Sequence, residues 1–126
     1  LKGRRTMPII AKLIVGFIAI AHLYIMWFEM FQWVSRGPRI FEALPQEIFE
    51  PTKAMAANQR LYNGFLAAGL LWSLTIHNLH WQSNVAICFL LFVLIAGIYG
   101  ALTVSKKILY VQTLPAIVGV AAVLWL

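Results

Sequence analysis

The sequence predicts an all-α integral membrane protein, an antiparallel four-transmembrane-helix bundle that forms one domain over residues 1–126. Three observations predict this class. Hydrophobic residues make up 62% of the chain and charged residues 11%, so polar groups are too few to cover a soluble globule. Four long apolar stretches alternate with short polar connections. Each stretch also carries a polar residue at a similar distance from one end.

The first predicted helix covers residues 8–34, longer than the roughly 30 Å hydrocarbon core requires, and Trp33 near its end suits an interfacial aromatic belt. Residues 35–39 contain Gly and Pro, which predict a turn. Residues 40–50 mix apolar side chains with three glutamates, which predicts a short amphipathic stretch on the membrane surface.

The second half of the chain contains the other three apolar stretches. Pro51 and Thr52 open the second helix. The predicted elements are a helix over residues 53–76, a polar connection over 77–84, a helix over 85–104, a tight turn over 105–107, and a last helix from residue 108 that is broken at Pro115.

Basic residues predict the orientation. The two connections on one side carry Arg36, Arg39, Lys53, Lys106 and Lys107. The positive-inside rule therefore places this side in the cytoplasm and both termini outside a bacterial inner membrane. Met7 resembles the natural first residue of the protein, and residues 1–6 are interpreted as either an added tail or a genuine basic extension. The first apolar run lacks a cleavage pattern, so we expect it to stay in the membrane.

Polar side chains share one predicted depth. They lie about five residues from the cytoplasmic end of each stretch, which is roughly 7–8 Å below the membrane face at about 1.5 Å per residue. An ionisable residue with amide partners inside a membrane is a candidate functional site. The candidate ligand-binding cluster consists of His22, Glu29, Asn58, Gln59, Tyr62, Asn63, Tyr99 and Gln112.

His22 and Glu29 are seven residues apart, so they share one face of a helix. The pair can relay a proton or act as acid and base. The alternative is that Glu29 makes hydrogen bonds to the second helix and fixes helix packing. Two hypotheses apply to Arg60 as well: its side chain extends toward the cytoplasmic end of the helix, or it pairs with Glu29.

Several classes of function are disfavoured. The net charge of +6 comes from short basic clusters rather than a continuous stripe, so we expect no nucleic-acid partner. His77 and His80 lack a third ligand and predict no metal site. The single cysteine, Cys88, excludes an internal disulfide. No phosphate loop, zinc-protease helix, nucleophile elbow or cofactor fingerprint occurs, which disfavours a familiar soluble enzyme and leaves any cofactor unknown.

The motifs resemble a known family. They are His22-Leu23-Tyr24-Ile25, Glu29-Met30-Phe31, Asn58-Gln59 followed by Tyr62-Asn63-Gly64, Ala96-Gly97-Ile98-Tyr99-Gly100, and Val111-Gln112 with Pro115. This pattern resembles small bacterial membrane proteins grouped as domain-of-unknown-function family 1304. Arg60 stands where the resemblance leads us to expect a small residue. The resemblance implies a four-helix integral membrane protein and no particular activity.

The sequence is compatible with three functions. The first is a membrane protein that binds a small polar molecule, or passes a proton by way of Glu29 and His22. The second is an accessory or structural subunit of a homo-oligomer or a larger membrane complex. The third is a membrane-embedded enzyme that acts on a lipid, with Glu29 as acid or base. The expected partners are the lipid bilayer, further copies of the chain or other membrane proteins, and a small-molecule ligand.

Overall fold

The described part of the chain is all-helical. The computed structural model describes residues 7–125, apart from the side chain of Glu29, and contains five α-helices and no strand within these residues. The helices are α1 (Ile9–Phe31), α2 (Trp33–Ile40), α3 (Lys53–Thr75), α4 (Leu79–Thr103) and α5 (Leu114–Trp125). A 3₁₀ helix covers Gln46–Ile48, and a π-helical turn covers Leu109–Thr113. The basic extension at residues 1–6 lies outside the described residues.

Helices α1, α3, α4 and α5 enclose one hydrophobic core. Helix α1 packs against α3 and α5, and α4 packs against the same two helices. The core consists largely of small and β-branched side chains, including Ala11 and Val15 of α1, Ala86 and Val93 of α4, and Val123 of α5. Small residues let helix backbones approach closely, which is how membrane helices associate.

The first predicted helix ends earlier than expected. Gln32 has φ −119° and ψ 9°, which interrupts the helix, and its backbone N–H donates to Phe28 O at 2.6 Å. Helix α2 then includes Gly37 and Pro38, so the turn predicted over residues 35–39 is wrong. Gly37 is buried, and its lack of a Cβ lets the Phe49 ring pack directly against it, since an added Cβ would overlap that ring.

Two further boundaries differ from the prediction. Helix α4 begins at Leu79 rather than residue 85, because the Asn78 side chain caps it by accepting from the backbone N–H of Trp81 at 3.0 Å. Pro115 does not break the last helix. The π-helical turn precedes it, with the backbone N–H of Leu114 donating to Leu109 O five residues back, and Pro115 lies in the first turn of α5.

Within residues 7–125, two helices are long and apolar enough, by length and composition, to cross a membrane. They are Ile9–Phe28 of α1, with mean hydropathy 2.2, and the whole of α4, with mean hydropathy 2.7. The π-helical turn and α5 form a shorter apolar helix, Leu109–Trp125. Helix α3 has 23 residues, but the run of polar side chains from Asn58 to Asn63 lowers its hydrophobicity.

Candidate functional site

The four longer helices are aligned antiparallel to their neighbours. Gly16 of α1 lies beside Leu74 of α3, and Met26 lies beside Gly64, so α1 and α3 run in opposite directions. Extending this register by less than one turn places the main chain of Glu29 opposite Leu61, next to Arg60 in the sequence.

The same register extends around the bundle. Gly69 of α3 lies beside Phe89 of α4, and Gly97 of α4 lies beside Thr113. By extension, the main chains of Glu29, Asn58, Tyr99 and Gln112 come within about one helical turn of a common level.

The side chains at this level do not gather in the interior. Tyr62 and Tyr99 are 57% and 69% exposed, and Asn58 and Gln59 are also exposed. Asn63 and Gln112 are half-buried, and His22 is fully buried. The structure therefore brings the predicted residues to one level, apart from His22, which lies two turns from Glu29 along α1, and it turns four of them outward. Ligand binding by this cluster stays a prediction.

Arg60 occupies the interior instead. It lies on a stripe of α3 that faces the bundle, with Ala56 one turn before it and Ala67 two turns after it. Only 1% of Arg60 is exposed, and it is the largest fully buried side chain among the described residues. Its Nη1 donates to Ala56 O, so the side chain lies along α3 toward the start of that helix. The guanidinium is nevertheless enclosed by protein.

An aromatic cap covers Arg60. The Trp33 ring lies against the guanidinium, with 5.6 Å from Arg60 Cζ to the ring centroid. Trp33 also packs against Phe41 and Phe49, with centroid distances of 5.6 and 4.9 Å, and its Nε1–H donates to Thr52 Oγ1 at 3.0 Å. Cation–π contact is strongest with Trp and when water is excluded, so this cap stabilises the buried cation.

A pattern of small residues in the sequence indicates that Arg60 faces the interior. Alanines at positions 56 and 67 put small side chains four residues before and seven residues after Arg60, on one face of the helix. Small residues mark the face on which membrane helices pack most closely. This pattern identifies Arg60, rather than Asn58 or Gln59, as the polar residue directed inward.

Other polar side chains are buried along the interior. His22 Nδ1 donates to Ile18 O at 2.9 Å, and His22 Nε2 has no hydrogen-bond partner among the described residues. Thr113 Oγ1 also lacks one, and it faces Gly97 so closely that a Cβ there would overlap it. Toward the other end, Ser73 Oγ donates to Leu70 O at 2.6 Å. Gln82 and Ser83 complete the set of buried polar residues in the part of the chain that the structure describes.

The surface formed by the described residues includes a small cavity and an apolar groove. One, of about 270 Å³, is lined by Met30, Phe31, Trp33, Val34, Ser35, Glu50 and Lys53 beside the aromatic cap. The other, of about 420 Å³, is an apolar groove between α1 and α5 that reaches Pro115. Within residues 7–125, no group of three His, Cys, Asp or Glu side chains is arranged to hold a metal ion.

The described part of the chain defines a class: an all-helical fold with two helices apolar enough to span a membrane and a buried arginine under an aromatic cap. The chain belongs to the family described as Protein of unknown function (DUF1304), whose model matches residues 16–124. The family predicted from the sequence motifs is thereby confirmed.

A relative supports the same assignment. The chain is 27% identical over 108 residues to the Uncharacterized protein YpaA of Lactococcus lactis subsp. lactis (strain IL1403). The similarity covers 84% of this chain and 89% of the relative's length. No solved structure matches the chain.

Proposed function

We propose that this chain is a multi-pass integral membrane protein in which α1, α3, α4 and the final helical segment cross the bilayer. The observation that supports this proposal most strongly is the large exposed fraction of the apolar helices α1 and α4. A core helix of a soluble protein is mostly buried, whereas only 28% and 22% of the apolar windows of α1 and α4 are buried. The twenty residues Ile9–Phe28 extend about 30 Å, the thickness of the hydrocarbon core.

The exposed apolar side chains form continuous surfaces rather than isolated positions. On α1 the exposed residues include Ile9, Leu13, Phe17, Ile20 and Tyr24, and on α4 they include Phe92, Ile95, Ile98 and Leu102. Large contiguous apolar surfaces are rare on soluble monomers and suit a lipid environment.

Charge supports a cytoplasmic position for the capped end. Arg36, Arg39 and Lys53 lie in or beside the cap, and Lys106 and Lys107 follow α4. Lys107 Nζ donates to Ile40 O at 3.5 Å, so the two basic connections are neighbours at one end. The positive-inside rule then places both termini outside the inner membrane.

Cysteine labelling tests insertion and orientation together. In a Cys88→Ser background, we expect Ser105→Cys to react with a membrane-impermeant maleimide only after cells are permeabilised. The matched variant His77→Cys, at the opposite end, should react in intact cells. Extraction of the protein from membranes by alkaline carbonate would contradict insertion, and the reverse labelling pattern would contradict the orientation.

The interior supports a function within the membrane. Ionisable side chains inside a membrane are costly and mark ion or proton pathways, and here Arg60 and His22 are both buried. We infer that the protein handles a proton by way of Glu29 and His22. The close helix approaches at Gly64 and Gly97 leave a narrow interior at this level, which favours a proton over a larger polar ligand.

Proton flux tests this proposal. Purified protein in liposomes, under a valinomycin-imposed potassium diffusion potential, should acidify or alkalinise an enclosed pyranine dye faster than empty liposomes do. Glu29→Gln removes the exchangeable carboxyl and mimics its neutral form, so we expect at least a tenfold loss of flux in a protein that still folds. Glu47→Gln, at an exposed carboxylate, is the control and should retain flux. Wild-type flux equal to that of empty liposomes would overturn proton handling.

A second function has its own supporting observation. Asn58, Gln59 and Tyr62 are exposed on the outer side of α3, where lipid offers no hydrogen bonds. This feature favours an accessory or structural subunit, because a neighbouring protein would satisfy these groups.

A further inference from the structure

The outer surface of α3 differs from the outer surfaces of its neighbours. On α1 and α4 the outward side chains are mainly apolar, as at Phe17 and Ile95. On α3 the outward surface includes Asn58, Gln59 and Tyr62. Amide groups that face hydrocarbon lose their hydrogen bonds with water and gain none, which costs several kcal/mol in model transfers.

A regular stripe runs along this surface. Seven exposed residues follow one another at alternating intervals of four and three positions: Ala54, Asn58, Leu61, Phe65, Ala68, Trp72 and Thr75. This spacing is the one that packs two helices side by side along a shared seam. The buried stripe of α3, including Ala56, Arg60 and Leu70, faces the interior of the same molecule, so the outer stripe is available for a second contact.

The chemistry of the stripe favours a second copy of this chain. All copies insert with the same topology, so two α3 helices related by a twofold axis along the membrane normal run parallel. Each residue then meets its own counterpart at the same depth. An amide has both a donor and an acceptor, so Asn58 can satisfy Asn58 of another copy. In coiled coils, a single Asn within the apolar seam selects register and a two-stranded state, and Asn58 is the one amide in this stripe.

We propose that the α3 stripe is a homodimer interface, with α3 packed in parallel against α3 and Asn58 paired with Asn58 of the second copy. This inference rests on the proposed membrane location. The seam is about 30 Å long, from Ala54 to Thr75, and spans the hydrocarbon core.

Cysteine cross-linking in native membranes tests the dimer. Two versions of the chain with tags of different length are co-expressed in a Cys88→Ser background, each carrying Leu61→Cys, and are oxidised with copper phenanthroline. We expect most of the protein to form disulfide-linked dimers, including the product that carries both tags. The matched control, Ile95→Cys on the exposed apolar face of α4, should give at least tenfold less cross-linking.

Further variants test the seam and its polar residue. Ala68→Cys lies two turns along the same stripe and should also cross-link, which keeps the test valid if Leu61→Cys fails to fold. In the Leu61→Cys background, Asn58→Leu should lower cross-linking at least fivefold, whereas Asn58→Gln, which keeps an amide, should retain it.

The outcomes separate this inference from the membrane proposal. Protein that resists carbonate extraction but does not cross-link through α3 overturns the dimer and leaves insertion intact. Cross-linking to a different protein, or equal cross-linking at Ile95→Cys, also overturns it. Protein that carbonate extracts overturns both proposals.

Discussion

Arg60→Ala is expected to lower the free energy of unfolding by about 3–5 kcal/mol, the range seen for large buried side chains and broken buried charge contacts. Arg60 is the largest fully buried side chain of the described residues, so truncation leaves a cavity beneath the cap. It also removes the hydrogen bond to Ala56 O and the contact with Trp33. The measurement is unfolding of the purified protein in dodecyl maltoside by titration with dodecyl sulfate.

Two comparisons identify the origin of this loss. Arg39→Ala removes an exposed arginine of α2 and should change the free energy of unfolding by less than about 0.5 kcal/mol. Arg60→Met preserves much of the packing volume and should cost less than Arg60→Ala. A change below about 1 kcal/mol for Arg60→Ala would contradict a buried, stabilising guanidinium.

The same measurements examine the predicted pairing of Arg60 with Glu29. Three of the four acidic residues, Glu42, Glu47 and Glu50, are exposed, and Glu50 lies 3.7 Å from Lys53. The helix register places the main chain of Glu29 at the level of Arg60. In a double-mutant cycle with Arg60→Met and Glu29→Gln, we expect a coupling free energy above about 1 kcal/mol. Additive effects would show that the two residues act independently.

Gly97→Leu is expected to prevent folding or to lower the free energy of unfolding by more than about 3 kcal/mol, because overpacking of a close backbone contact cannot relax easily. A Cβ at Gly97 would overlap Thr113 Oγ1 and lie 3.0 Å from Thr113 N and 3.2 Å from its Cα. These are partly backbone atoms of the π-helical turn, so α4 would have to move away from it. Gly97→Ala should show the same defect at reduced size, about 1–3 kcal/mol.

Gly16→Ala is the matched control for this site. A Cβ at Gly16 meets only Leu74 Cδ1, at 3.8 Å, which is ordinary van der Waals contact. Alanine is favoured over glycine within a helix by up to about 1 kcal/mol, so this variant should be neutral or slightly stabilising. Unfolding titrations of Gly16→Ala and Gly97→Ala side by side give the measurement. Equal tolerance of both variants would contradict the close approach of α4 and the π-helical turn.

The helix boundaries show where prediction from the sequence succeeds and where it fails. The second long helix was predicted over residues 53–76 and is observed at Lys53–Thr75, because Pro51 and Thr52 precede a long run without a breaker. The start of α4 was missed by six residues, since the polar run after His77 resembles a loop until Asn78 is recognised as a helix cap. Pro115 predicts a break in the last helix, whereas the π-helical turn before it accommodates the proline ring.

The chain by itself determined the helical class, the apolar segments, the family and the common level of the polar residues. These properties follow from composition, breakers and distance along each segment, which are local. Which polar side chain enters the interior was decided only by tertiary packing. Arg60 and Asn58 are two residues apart, about 200° around a helix, so one turns inward when the other turns outward. Which of the two turns inward depends on which face of α3 fits closely against α1 and α4. That fit is set by two close contacts, between Gly64 and Met26 and between Gly69 and Phe89.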